Sequence, residues 1–177
     1  GLGDVYKRQV QYPFFPVVDT FNSKDSVAGI IVNKLEQILP LFPSEIKIDT
    51  VRSENVLNVS TLFTSSNNSG LMSSNFMLSP DPQQNPFLQL LGQSGKVLSA
   101  LSSLKGGGEL MLISDSKFLS DEGGMSIPDN MVFLMNAVDY LADDEDLISL
   151  RSREVTSRPL DILQLSDEEE LTISQDD

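Results

Sequence analysis

The chain is 177 residues long, about one domain's worth, with 40% apolar and 21% charged residues, so collagen-like, coiled-coil and low-complexity chains are excluded. With 12 basic and 26 acidic residues its net charge is −14, which disfavours nucleic acid as a partner. It has no Cys, His or Trp, which removes disulfides, thiolate nucleophiles, Cys-ligated zinc and every catalytic arrangement that needs imidazole.

Gly1 to Gln9, Gly-Leu-Gly-Asp-Val-Tyr-Lys-Arg-Gln, reads as translated library adaptor and is set aside, which makes the chain a fragment of a longer protein by expectation. Residues 10–160 form the expected domain, and 161–177 an acidic, disordered tail. Residues 141–177 carry 12 acids and 3 bases, including the run Asp167 to Glu170, a solvated segment in its simplest reading. No apolar run approaches the roughly 18 to 20 residues that cross a bilayer.

Tyr12 to Val18 holds Pro13 and Pro16 among three aromatics, which predicts an extended edge or docking segment. From Ser26 to Leu39 apolar residues recur at spacings of three and four, predicting an amphipathic helix ended by Pro40. Ile46 and Ile48 alternate with Lys47 as a short strand, and Val56 to Thr64 alternates as a longer one with one buried face. Ser65 to Pro86 is a polar loop, and Lys105 to Gly108 is a turn. Its three glycines precede a strand and lack a following Lys-Ser/Thr pair, so they are no phosphate loop.

Glu109 to Ser114 is a continuous aliphatic run bounded by turn residues, which predicts a strand buried on both faces of a parallel sheet. Met131 to Ala142 is apolar on nearly every side, a largely buried helix, with Ser126 or Asp129 as its cap and Pro128 in its first turn. Leu147 to Leu150 suggests a last strand. The expected fold is an α/β three-layer sandwich with a mostly parallel sheet, present as a fragment.

The candidate ligand-binding residues are Asp115, Ser116, Asp121, Asp129 and Asn130, which follow the predicted central strand and precede the helix. That edge is where open α/β sheets bind ligands, and its carboxylates, with Glu122, suit Mg²⁺ or Ca²⁺. The spacing matches no EF-hand, and the preferred reading is local: Asp129 caps the helix and Asp115 bonds loop N–H groups. No catalytic residue, resident metal or cofactor is assigned. Without His, Ser114 or Ser116 would need Lys117 as base, and nothing marks that lysine as buried. Arg151, Arg153 and Arg158 suit pairing with Asp143 to Asp146.

Leu112 to Asp121, Pro128 to Leu141, Asp146 to Arg153 and Arg158-Pro159-Leu160, in that order, resemble the C-terminal part of the gliding-associated (GldG-type) auxiliary, substrate-binding-like component of ABC transporters. Tyr12 to Pro16 and Leu62 to Ser66 are similar to earlier stretches of that family. The resemblance implies a glutamine-amidotransferase-like (flavodoxin-like) α/β domain without a catalytic Cys. It also implies a periplasmic, inner-membrane-anchored protein that works non-catalytically with an ABC permease and ATPase in gliding motility, held by membrane helices outside this chain. The family continues past its Arg-Pro-Leu motif into a membrane helix, whereas this chain turns acidic from Asp167, which reads as truncation or a frameshift. Two alternatives remain open: a carboxylate- or metal-dependent hydrolase or carbohydrate-processing enzyme using Asp115, Asp121 and Asp129, and a structural module docking through Tyr12 to Phe15.

Overall fold

The structure, a computed structural model, describes residues 12–49, 54–120, 124–144, 146–148 and 150. Its centre is a three-stranded antiparallel sheet in the order β1 (Val56–Thr64), β2 (Val97–Leu104), β3 (Glu109–Ile113). Among the described residues one helical turn, α1 (Ala28–Ile31), one longer helix, α2 (Pro128–Leu141), and two 3-10 turns accompany it, with Asp146 to Ile148 helical beyond α2. The expected three-layer sandwich with a mostly parallel sheet is therefore incorrect. The reason lies in the turn. Lys105 to Gly108 gives β2 and β3 a four-residue connection, and parallel neighbours need a crossover of about a dozen residues or more. Gly107 and Gly108 close the hairpin at φ +85° and +89°, where a side chain is disfavoured.

β3 is also not buried on both faces. Met111 and Ile113 pack on the core, and strand alternation puts Leu110 and Leu112 on the opposite face, 59% and 52% exposed. The aliphatic run thus reflects one core face and one uncovered apolar face. β3 is the last strand of the sheet. Ser114 N–H donates to Leu98 O and Leu104 N–H to Gly108 O. With the register of the pair, these bonds turn the peptide groups of Leu110 and Leu112 toward β2, and those of Glu109, Met111 and Ile113 toward the free edge.

α2 lies over the core face of the sheet. Phe133 meets Phe63 of β1 edge to face at 5.3 Å and Phe118 at 5.9 Å. Leu62, Leu101, Ile31, Ile38 and Val18 fill the space around these rings. Phe21 extends the sheet by a single bridge to Phe63. Only one face of α2 is buried, through Asn130, Phe133, Asn136 and Ala137. Its other face leaves Met135, Val138 and Leu141 exposed, so the expectation of a largely buried helix holds for half of it.

Three further local expectations change. The helix predicted from Ser26 to Leu39 is one turn long, because Lys34 takes a left-handed φ of +58° and Ile38 leaves to pair with Val18 through two backbone bonds of 2.8 Å. Ile46 to Ile48 forms no ladder, although Ile46 N–H donates to Val97 O. Asp146 to Ile148 is helical, not a strand. Tyr12, Phe14 and Phe15 form a half-buried aromatic cluster with Phe42. Among the described residues, no helix is long and apolar enough to cross a membrane.

Two features of chain geometry have measurable consequences. Asp25 accepts from Val27 N–H and Ala28 N–H at 2.9 Å and from the Ser60 hydroxyl at 3.3 Å. The bonds from Ala28 and Val27 hold its carboxyl below the usual value of 3.8. A carboxylate depressed in the folded state stabilises above its unfolded pKa and loses that contribution as pH falls through the folded one. Asp25→Ala is expected to cost about 1 kcal/mol at neutral pH, and the loss should shrink as pH falls through the lowered pKa of the carboxyl when unfolding is followed by urea titration across pH. At the other end of the chain, α2 stops in a Schellman motif: Asp144 N–H donates to Asp139 O at 2.9 Å and Asp143 N–H to Tyr140 O at 3.0 Å. Asp143 sits there at φ +61°, with a negative charge at the negative end of the helix. Asp143→Gly is expected to raise stability by about 1 kcal/mol in the same assay.

Candidate functional site

Asp115, Asp129 and Asn130 do come together, around one segment of backbone. Glu36 N–H and Gln37 N–H both donate to Asp129 Oδ2 at 2.9 Å. Asn130 accepts from Leu39 N–H at 2.9 Å and donates to Leu39 O at 3.1 Å. Asp115 accepts from Leu41 N–H at 2.8 Å and, through its other oxygen, from Lys117 N–H at 2.7 Å. Nearly two turns along α2, Asn136 donates to Ile31 O at 3.0 Å. Four polar side chains therefore strap residues 31–41 to the first two turns of α2 and to the exit of β3.

The local sequence explains why these side chains reach so far. Ile127 is the N-cap of α2, in extended backbone, and Pro128 occupies the first turn, where its missing N–H costs nothing. Ile127 has no side chain that could cap the helix, and Asp129, expected as its cap, sits inside the first turn with its Oδ2 taken by the strap. Asn130 is 1% exposed and lies against Gly124, where a Cβ would collide with its Nδ2. Gly124 is thus a packing requirement of the clamp.

Asp115 is buried, with both carboxylate oxygens engaged by N–H groups. The sequence reading of Asp115 as a binder of loop N–H groups agrees with its bond to Lys117; the bond to Leu41, 74 positions away, could not be read locally. Ser116 is exposed beside it. Asp121, together with Glu122, lies outside the described residues. Among the described residues, no group of three or more acidic side chains is placed to share a metal ion.

A cleft lies elsewhere. It has a volume of about 360 Å³ and is lined by Gly108, Glu109, Tyr140, Leu141 and Asp143, between the start of β3 and the end of α2. Glu109 accepts from the Ser103 hydroxyl at 3.1 Å and stands 3.5 Å from the Tyr140 hydroxyl. Two further stretches of exposed surface are apolar in rows set by their elements: the outer face of β3 at Leu110 and Leu112, and the outer side of α2.

Removing a clamp side chain leaves backbone N–H groups without partners, at a cost of about 1 to 3 kcal/mol. Asp129→Ala and Asp115→Ala are each expected to lose that much in chemical denaturation. Calcium or magnesium titration of the intact chain should give no heat that either substitution abolishes.

Comparison of the chain with protein families, curated proteins and solved structures returns no match.

Proposed function

We propose that the chain is a non-catalytic docking module of an ABC transport system associated with gliding motility. It would work on the extracytoplasmic side of the inner membrane, anchored by helices outside these residues. The observation that carries the docking half is the open sheet face. Leu110 and Leu112 stand more than half exposed on a strand whose outer edge has no neighbouring strand among the described residues. Paired large apolar side chains beside an unpaired edge suit a protein surface that adds to the sheet or covers it.

The clamp supports the same reading. The carboxylates that sequence alone offers for metal or acid–base chemistry, Asp115 and Asp129, hold backbone N–H groups. The transport setting rests on the ordered motifs from Leu112 to Leu160. It draws nothing from the sheet, because the parallel, helix-covered architecture that the resemblance implies is not the one formed.

The permease and ATPase are the proposed partners. Co-expression with the permease of a gliding-type ABC system should yield a complex that co-purifies. Replacing Leu110 and Leu112 together by Thr keeps the strand propensity and removes the apolar contact. It is expected to weaken the complex tenfold or more, since burying one leucine is worth about 1.5 to 3 kcal/mol. The melting temperature should stay unchanged. Undiminished binding by that variant would remove the open face from the reading, and no complex with the wild-type chain would remove the transport setting.

A further inference from the structure

A second surface points to a partner of definite chemistry. On α2, Met131, Leu134, Met135 and Val138 fall within one arc at helical spacing, turned away from Phe133, which enters the core, and Leu141 lies where that arc meets the Ala137 side. Val138 is 56% exposed and Leu141 45%. From Pro128 to Leu150 the sequence has six acids and no Lys or Arg. Asp143, Asp144 and Asp146 follow the last turn, where the helix dipole already gathers negative charge. Leu141 is shared between the stripe and the cleft, which adds Glu109 and Asp143 on either side of the Tyr140 ring. The base closest in sequence to that cleft is Lys105, in the β2–β3 turn.

We infer that the outer face of α2 docks a basic amphipathic helix of a protein partner, its apolar side on the stripe and one Arg or Lys side chain in the Glu109–Asp143 cleft. The apolar arc matches the spacing of a helix laid along a helix. The acids at its end match a cation, and they sit where a helix alone would favour bases. A second copy of this chain is a poorer occupant, because its own face would bring the same acids. The inference goes beyond the docking reading above: it names a different surface, and it stands or falls without the permease.

The test uses the full chain and two synthetic amphipathic helical peptides, one of leucine and lysine and one of leucine and glutamate, followed by calorimetry at low and raised salt. The lysine peptide should bind and the glutamate peptide should not. Val138→Asp with Leu141→Asp should weaken binding tenfold or more, and Met135→Glu repeats the test should that variant unfold. Glu109→Gln with Asp143→Asn should weaken it severalfold and flatten its salt dependence. Leu110→Thr with Leu112→Thr should leave it unchanged.

The inference is overturned by a stripe variant that binds normally. It is also overturned if neutralising Asp167 to Glu170 abolishes binding, which would make the tail the site. A rise in affinity when Arg151, Arg153 and Arg158 become Gln would make the chain's own arginines the occupant, and a dimer dissociated by Val138→Asp would make it a second copy. Either result overturns the inference.

Discussion

The structure depends on the hydrogen bonds by which Asp115, Asp129, Asn130 and Asn136 hold residues 31–41. Beyond Ile31, the last residue of α1, that segment forms neither helix nor ladder except its single bridge at Ile38, so the N–H groups of Glu36, Gln37, Leu39 and Leu41 need partners from elsewhere. Asp115, Asp129 and Asn130 accept from those N–H groups and Asn136 donates to the Ile31 carbonyl; the two aspartates are ionised acceptors, whose bonds are stronger than neutral ones. With the strap fixed, Ile31, Leu35 and Ile38 are delivered to the core beside Phe133. Polar and apolar contributions are coupled here: the clamp sets the position of the strap, and the strap completes the hydrophobic cluster that α2 covers.

The same bonds explain where sequence reasoning succeeds and where it stops. Val56 to Thr64 is legible as a strand because its alternation is local, and the structure gives the same bounds. The glycine turn before Glu109 is legible too, and its brevity already requires antiparallel pairing. The aliphatic run Leu110 to Ile113 points the other way only if continuous apolarity is equated with burial on both faces. Ser26 to Leu39 carries a helical spacing that α1 honours for one turn. What unwinds the rest is a set of acceptors roughly 90 residues away, such as Asp129 for Glu36, which no window of local periodicity contains. The candidate site was found by the same kind of reading. Asp115, Asp129 and Asn130 do converge, but on backbone, because carboxylates and amides at a loop exit serve orphaned N–H groups as readily as they serve ligands.

One helix over three strands buries the inner side of each layer, and the outer side of the sheet is buried only in part, at Leu98 and Ala100 of β2. An ordinary two-layer domain makes its outer sides polar. Here the outer side of β3 carries Leu110 and Leu112, and the outer side of α2 carries Met135, Val138 and Leu141. Scattered single leucines on a surface need no account, but rows set by strand and helix periodicity on both outer sides do, since each row marks where another apolar surface fits.

Charge separates the two rows. The sheet row has Glu109 as its one ionised neighbour within β3, whereas the helix row ends among Asp143, Asp144 and Asp146. Apolar contact is non-directional and sets no partner by itself; charges at its rim discriminate between partners and speed encounter. The sheet row is therefore open to whatever strand or face complements it in shape, while the helix row is selective for cations. Asp143 shows the cost of that selectivity. It occupies a left-handed position that glycine would fill without strain, at the end of the helix where its charge is least welcome. A local rule broken without an internal gain is expected where a surface serves something outside the chain.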